Sequence, residues 1–296
     1  MEQSPSPAWP PFISVVVPVY NEERYVRRCA EALLGQSYPR GRFEILMVDN
    51  NSTDRSREIL HSIDGVRVLE EPEQGDYAAR NRGVAASRGE IIAFTDSDTA
   101  PLPDWLDRIA QAMAEQPDVG VIVGGLRFAG SSRTLSLMAA YEEDKAEYIF
   151  GSDDAELYYG YTCNLAARRR LFEELGPFAS VPRNADVVFV RNVVDAYSTD
   201  AVVYRRDVAV RRLEIASTGD FFQKQSVYGR DFPRYAKLTR VRPLRMSERW
   251  SILRCVVRKR RHTPIDVGLL LAALSVGALC YDVARWWASA RGGRRG

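Results

Sequence analysis

Phe12-Ile13-Ser14-Val15-Val16-Val17 is an almost unbroken run of apolar, mostly β-branched residues. A strand with one wet face alternates apolar and polar residues, whereas a strand covered on both faces does not. The run therefore predicts a central strand buried between two layers of helix, ending at Pro18. The next segments keep the rhythm such a sheet requires. Residues 22–34 place Tyr25, Val26, Cys29 and Leu33 at helical spacing, and residues 43–48 form a second strand. Ser52-Thr53-Asp54 can cap the next helix. Residues 66–69 read as a third strand, 77–86 as a helix and 91–95 as a fourth strand. Strands alternating with helices predict an α/β domain with a largely parallel sheet. Further on, strands are expected within 118–128, 161–167 and 201–204, and helices over 133–149, 169–175 and 186–197.

In parallel sheets, ligands bind beyond the carboxyl ends of the strands. Asp49 ends the second strand, and Asp96-Ser97-Asp98 ends the fourth. Asp disfavours strands, and two carboxylates one residue apart repel each other. A divalent cation between them and a phosphate would compensate. Mg²⁺ and Mn²⁺ favour such oxygen donors, and Mg²⁺ is commonly held by one or two carboxylates plus substrate phosphates. No GxGxxG follows the first strand and no GxxxxGK[ST] occurs, which argues against a dinucleotide dehydrogenase and excludes a P-loop.

The ordered set of motifs resembles family 2 glycosyltransferases, inverting enzymes with a GT-A fold. The residues that carry the resemblance are Pro18-Val19-Tyr20-Asn21-Glu22-Glu23, Val48-Asp49-Asn50-Asn51-Ser52-Thr53-Asp54, GDYAARNRG over 75–83, and Thr95-Asp96-Ser97-Asp98. Cys163-Asn164-Leu165-Ala166-Ala167-Arg168-Arg169 and Asp186 come after them. The resemblance covers roughly residues 12–215. It implies a nucleotide-sugar half over 12–100 and an acceptor half over 101–215. Pro18, Val19 and Tyr20 would receive the base, and Asp49 would accept its N–H groups. Glu22, Asn51, Arg80, Asp96 and Ser97 complete the expected donor site, with Arg80 on a phosphate and Asp96 on the ribose. Asp98, with Asp96 as a second possibility, would hold Mg²⁺ or Mn²⁺. Asn164 falls in the acceptor region, and Asp186 is the expected general base.

Two positions depart from the family pattern. The acidic neighbour usual before the base is Ala185 here. A metal-ligating His common in relatives is replaced by Arg212, so Glu214 or water would complete the shell, or arginine would take over part of the metal's charge. Lys224, Tyr228 and Arg230 are expected to close over the diphosphate. The QxxRW motif of processive synthases is absent, which argues for transfer of a single sugar.

The net charge of +2 conceals a division. Residues 1–223 carry 24 Lys and Arg against 35 Asp and Glu, while residues 224–261 carry 13 against 2. A basic arm over 216–261 suggests nucleic acid or an anionic membrane. The tail over 262–296 favours the membrane. Its stretch 267–281 has no charge, is about 22 Å long as a helix, and is flanked by arginines and by Trp286 and Trp287. The opening MEQSPSPAWPP does not read as a secretory signal. Four scattered cysteines form no zinc or CxxC spacing and suit a reducing compartment. The expected function is transfer of one sugar from a UDP- or GDP-sugar to a lipid-linked or cell-envelope acceptor at the cytoplasmic membrane face, without nucleic acid. A nucleotidyltransferase and an inactive, membrane-tethered sugar-nucleotide-binding protein are the alternatives.

Overall fold

The computed structural model describes residues 10–181, 183–239 and 241–292, so most of the opening stretch lies outside the described residues. In chain order the elements are β1 (Ile13–Val19), α1 (Val26–Leu34), β2 (Phe43–Asp49), α2 (Ser56–His61), β3 (Arg67–Glu70), α3 (Asp76–Ala86) and β4 (Ile91–Thr95). Then come β5 (Thr99–Pro101), α4 (Trp105–Glu115), β6 (Val121–Phe128), α5 (Arg133–Phe150), β7 (Asn164–Arg168), α6 (Arg169–Leu175), α7 (Ala185–Ala196) and β8 (Val202–Arg212). The last described elements are the helices α8 (Thr218–Thr239), α9 (Met246–Lys259) and α10 (Pro264–Gly292).

Among the described residues, eight strands form one sheet in the order β3-β2-β1-β4-β7-β6-β8-β5. β1 pairs in parallel with β2 and β4, and β7 is antiparallel to both of its neighbours. All seven residues of β1 are buried, as the unbroken apolar run requires. Val15, Val17 and Val19 pack with Val26, Cys29 and Leu33 of α1 and Trp105 of α4 on one face. On the other face Val16 joins Tyr77 and Val84 of α3 and Phe189 of α7. The sheet is mixed because its second half mates through β7, and the carboxyl ends of β1, β2 and β4 share one edge.

Several elements differ from expectation for identifiable reasons. α1 begins at Val26 rather than 22: Tyr25, at its N-cap, has a φ of −118°, and residues 22–25 form a turn closed by the Tyr25 and Val26 N–H groups on Glu22 O. β8 extends to Arg212 rather than 204: the half-buried Arg205 and Arg206 interrupt its apolar pattern, and a register shift at Gly124/Gly125 absorbs the irregularity. β5 and α4 carry no expectation from the sequence. The apolar stretch 267–281 belongs to a helix of 29 residues, about 44 Å long. Thr263 closes its start through mutual bonds with Asp266, and an Arg285–Asp282 pair accompanies its continuation past the uncharged stretch. By length and composition alone, Pro264–Ala290 could cross a membrane, with a mean hydropathy of 1.9.

The basic segment is folded against the body. Arg242 pairs with Asp154 at 2.5 Å and Glu248 at 2.7 Å. Lys259 reaches Glu147 at 2.7 Å and Arg260 reaches Glu143 at 2.8 Å, both on α5. Part of the charge division in the sequence is thus neutralised internally.

Gly83 lets α3 lie directly on β1, since a Cβ there would overlap Val16 Cγ1. Gly83→Ala should therefore cost about 1–3 kcal/mol through overpacking. Chemical denaturation measures this, and an unchanged midpoint would mean that α3 can shift without loss.

Candidate active site

The loops after β1 and β2 are fastened together. Asn21 Oδ1 accepts from the backbone N–H of Thr53 at 2.8 Å and of Asp54 at 3.3 Å. Glu22 N–H donates to Ser56 Oγ at 2.7 Å, and Glu23 N–H to Asp54 Oδ2 at 3.0 Å. Asp54 also accepts from the Ser56 N–H at 2.9 Å, which gives α2 its start. Asn50 holds the next loop: its amide donates to the carbonyls of Glu71 and Glu73 at 2.8 and 2.6 Å and accepts from Gly75 N–H at 2.7 Å. Tyr20 projects from this edge, 45% exposed, whereas Val19 is buried. A flat base can therefore meet the Tyr20 ring and the backbone but not the Val19 side chain. Asp49 is fully buried and carries Arg57 at 2.6 Å.

The Asp96–Asp98 turn is pinned from three directions. Thr99 N–H and Oγ1 donate to Asp96 O at 3.1 and 2.8 Å, and Cys29 Sγ donates to the same oxygen at 3.5 Å. Leu213 N–H donates to Asp98 O at 2.9 Å. Arg80 lies beneath, 4% exposed, donating to Asp96 Oδ1 at 2.6 Å with its guanidinium 5.0 Å from the Tyr77 ring. This corrects the expectation that Arg80 grips a phosphate: the side chain is buried under Asp96 and orients that carboxylate. Asp96 in turn holds the Arg80 guanidinium well above its usual range, against the opposing effect of burial.

Glu22, Asp96, Asp98 and Glu214 interact across this edge. Burial, reinforced by the neighbouring carboxylates, pushes Glu22 and Asp98 each up to about 7. Arg212, itself buried, pairs with Glu214 and reaches the Tyr228 hydroxyl at 3.3 Å. Lys224 stands 3.5 Å from Glu214. Lys224 and Tyr228 therefore face this cluster. Arg230 does not: it lies on the other side of α8, in a groove with Trp287 of α10.

Asp186 sits in the first turn of α7, 7% exposed. Its Oδ2 accepts from Thr162 N–H at 2.9 Å and Thr162 Oγ1 at 3.3 Å, and Oδ1 from Val187 N–H at 2.9 Å. Tyr77 also hydrogen-bonds it. Burial raises its pKa, opposed by these bonds and by Arg80. Ala185 is fully buried in the core beside it, so an acidic neighbour there would enter apolar surroundings.

Asn164 is corrected as an acceptor contact. It is 0% exposed, accepts from Trp105 Nε1 at 2.8 Å and donates to Gly125 O and Val208 O at 2.8 and 2.9 Å. Its bonds join β6, β7, β8 and α4. Ser97 is buried, and Asn51 donates to Pro72 O at 2.9 Å from a left-handed φ of 63°. The sequence pattern carries no individual expectation for Asn50, Tyr77 or Thr162. Asn50 and Tyr77 lie inside quoted motifs, whereas Thr162 carries no local signal.

The donor set suits a hard divalent cation. Asp98 Oδ1 and Glu214 Oε2 are buried without a hydrogen-bond partner, and both are carboxylate oxygens. Among the described residues no group of three ligating side chains stands ready for a metal. The remaining positions would fall to phosphate oxygens and water.

The raised carboxyls give a signed expectation. Unfolded carboxyls titrate near about 4. Between there and pH of about 7 the folded chain holds protons that the unfolded chain has lost, so this stability contribution disappears as pH rises through 7. The melting temperature of metal-free protein should fall as pH rises from about 4 to about 7 and level off above that, and Asp98→Asn should flatten the fall. Mn²⁺ should oppose it by binding the ionised pair. A profile identical in wild type and mutant would count against this coupling.

A family model described as "Glycosyl transferase family 2" matches residues 14–176. Glycosyltransferase AglE of Haloferax volcanii is 33% identical over 195 residues, covering 63% of this chain and 62% of the relative. A putative glycosyltransferase, EpsH of Bacillus subtilis, is 29% identical over 169 residues, covering 55% and 48%. The chain thus spans less than two thirds of the length of these relatives. The mannosyltransferase PcManGT of Pyrobaculum calidifontis, solved in complex with GDP-Man and Mn²⁺, superposes with a TM-score of 0.58 at 21% identity, over 97% of this chain and 85% of that one. The fold is accordingly GT-A, and the chain belongs to glycosyltransferase family 2.

Proposed function

We propose that this protein transfers one sugar, with inversion, from a nucleoside-diphosphate sugar to a lipid-linked or cell-envelope acceptor at the cytoplasmic face of a membrane. The observation that carries the reading is the position of Asp186. It is a buried carboxylate electrostatically linked through Arg80 to the Asp96 turn, and Thr162 fixes its orientation. An inverting transfer needs one base on the acceptor side, opposite the departing diphosphate. Asp186 takes the proton of the acceptor hydroxyl as that oxygen attacks the anomeric carbon. The bond from that carbon to the diphosphate oxygen breaks, and its electrons leave with the nucleoside diphosphate.

On the donor side, Tyr20 offers its exposed ring to the base, and Asp96, aimed by Arg80, offers its carboxylate to the ribose. Asp98 and Glu214, with Asp96 as a further candidate, would hold Mg²⁺ or Mn²⁺. The ion would supply Lewis-acid neutralisation of the leaving diphosphate. Arg212 and Lys224 add positive charge at the same place. The GDP-Man and Mn²⁺ bound by the Pyrobaculum neighbour support this donor class. A screen of UDP- and GDP-sugars with each metal, read by thermal shift, identifies the donor, because a bound ligand stabilises the fold.

Asp186→Asn should retain donor affinity by calorimetry and lose about 10²–10⁴-fold in single-turnover transfer, the range for removing a general base. Because burial raises the pKa of Asp186, the wild-type rate should climb with pH as the carboxyl ionises, with a midpoint above the ordinary carboxylate range. That limb should vanish from the mutant's residual rate. Wild-type transfer by the mutant, or equal loss of donor binding and transfer, would assign Asp186 a structural role. Thr162→Val should lower kcat with little change in donor affinity, since Thr162 Oγ1 donates to the carboxylate of the base; a loss confined to donor affinity would contradict its positioning role.

A further inference from the structure

α10 carries an apolar stripe that faces outward. Ile265, Leu269, Val276, Leu279, Val283 and Trp286 are all exposed and recur at the spacing of one helix face. Another flank of the same helix is attached to the body along its length. Asp266 pairs with Arg133 of α5 at 2.7 Å. Leu270 is buried with Leu137 and Tyr141 of α5 and with Ile252, Leu253 and Val256 of α9. Farther along, α8 runs beside it: Ala273 clusters with Phe221, the Tyr281 ring lies 6.0 Å from Phe232, and Arg285 covers the Phe232 ring at 5.8 Å. At Gly229 the helices approach so closely that a Cβ would overlap the Tyr281 carbonyl.

This attachment decides between lying on a bilayer and crossing it. α8 carries Lys224, Arg230 and Asp231 along the stretch that adjoins α10. A crossing α10 would draw those charges into hydrocarbon, where they are costly, or would tear away from α8. Lying in the plane, α10 buries its stripe and keeps α8 in water.

The neighbouring α9 supplies the matching charge. Ile252, Leu253 and Val256 face inward, while Trp250 is 50% exposed and Arg254 and Arg258 are exposed on the outer side. Lys259 and Arg260 are occupied by acids of α5. Arg254 and Arg258 have no acidic partner among the described residues. Basic side chains beside an exposed tryptophan suit anionic headgroups.

We propose that α9 and α10 form one docking surface for an anionic bilayer, with the α10 stripe at the acyl boundary, Trp250, Arg254 and Arg258 among the headgroups, and both ends of α10 on the same side of the membrane. The inference rests on the membrane-face location proposed above and adds the orientation. The test uses the full chain with Cys255→Ser and Cys280→Ser, carrying either Pro264→Cys or Ser289→Cys. Cys29 and Cys163 are buried and do not compete for reagent.

Bound to sealed phosphatidylcholine vesicles containing phosphatidylglycerol, both introduced thiols should react with a membrane-impermeant maleimide before detergent is added. A thiol that reacts only after detergent would show a crossing helix and overturn the proposal. Arg254→Gln with Arg258→Gln should weaken partitioning to the same vesicles about 20–30-fold, at about 1 kcal/mol per basic residue. Unchanged partitioning, or no flotation with these vesicles at low salt, would also overturn it. Donor binding in vesicle-free solution is read in parallel. Its absence in the unsubstituted protein would defeat the transferase reading, whereas its presence beside failed docking would defeat the membrane surface alone.

Discussion

Four carboxylates, those of Glu22, Asp96, Asp98 and Glu214, converge at one edge of the sheet, and much of the structure around them restrains their mutual repulsion. β1, β2 and β4 point their carboxyl ends at this edge, and β8 delivers Arg212 and then Glu214 to it. Each carboxylate has its own means of accommodation. Asp96 is gripped from below by a buried arginine. Glu214 is neutralised by Arg212 and Lys224. Asp98 and Glu22 are left with a strongly raised affinity for protons. Burial is the larger cause of that proton affinity and the neighbouring carboxylates reinforce it; a divalent cation would relieve the part that comes from their crowding.

Electrostatics also organises the second half. Glu143, Asp144 and Glu147 of α5 form an acidic row that receives Arg206 from β8 and Lys259 and Arg260 from the end of α9. The row turns a net charge difference along the chain into a set of contacts that fix where the terminal helices sit. Exposed pairs in such a row contribute little singly, but a shared network of partly buried ones favours one arrangement over others.

The sequence made the nucleotide half legible because its strands are short, apolar and bounded by turn residues, and because each acidic motif falls at a strand end. The second half was harder to read. β8 passes through Arg205, Arg206 and Asp207, where pairing partners rather than apolar alternation hold the strand. Arg80 shows a second limit: a long cationic side chain one turn into a helix reads the same whether it reaches outward to a phosphate or inward to a carboxylate. Asn164 shows a third. Its polar amide suggests a ligand contact, yet three core elements meet on it. Which of these holds depends on contacts between residues far apart in the chain, and spacing along the chain does not encode them.

The loop motifs after β1 and β2 bear on how such chains are recognised. Asn21, Glu22, Glu23, Ser52, Asp54 and Ser56 mostly bond one another, Asn50 braces the loop ahead of α3, and Asn81 holds the backbone of Phe178 at both its N–H and its carbonyl. Much of the diagnostic pattern thus records mechanical couplings between segments of the sheet edge. A descendant that lost Asp186 but kept those couplings would fold the same way and display the same signature. For chains of this kind, the recognisable text and the working chemistry can drift apart, and only the few side chains that touch the reacting atoms tell a living enzyme from its silent copy.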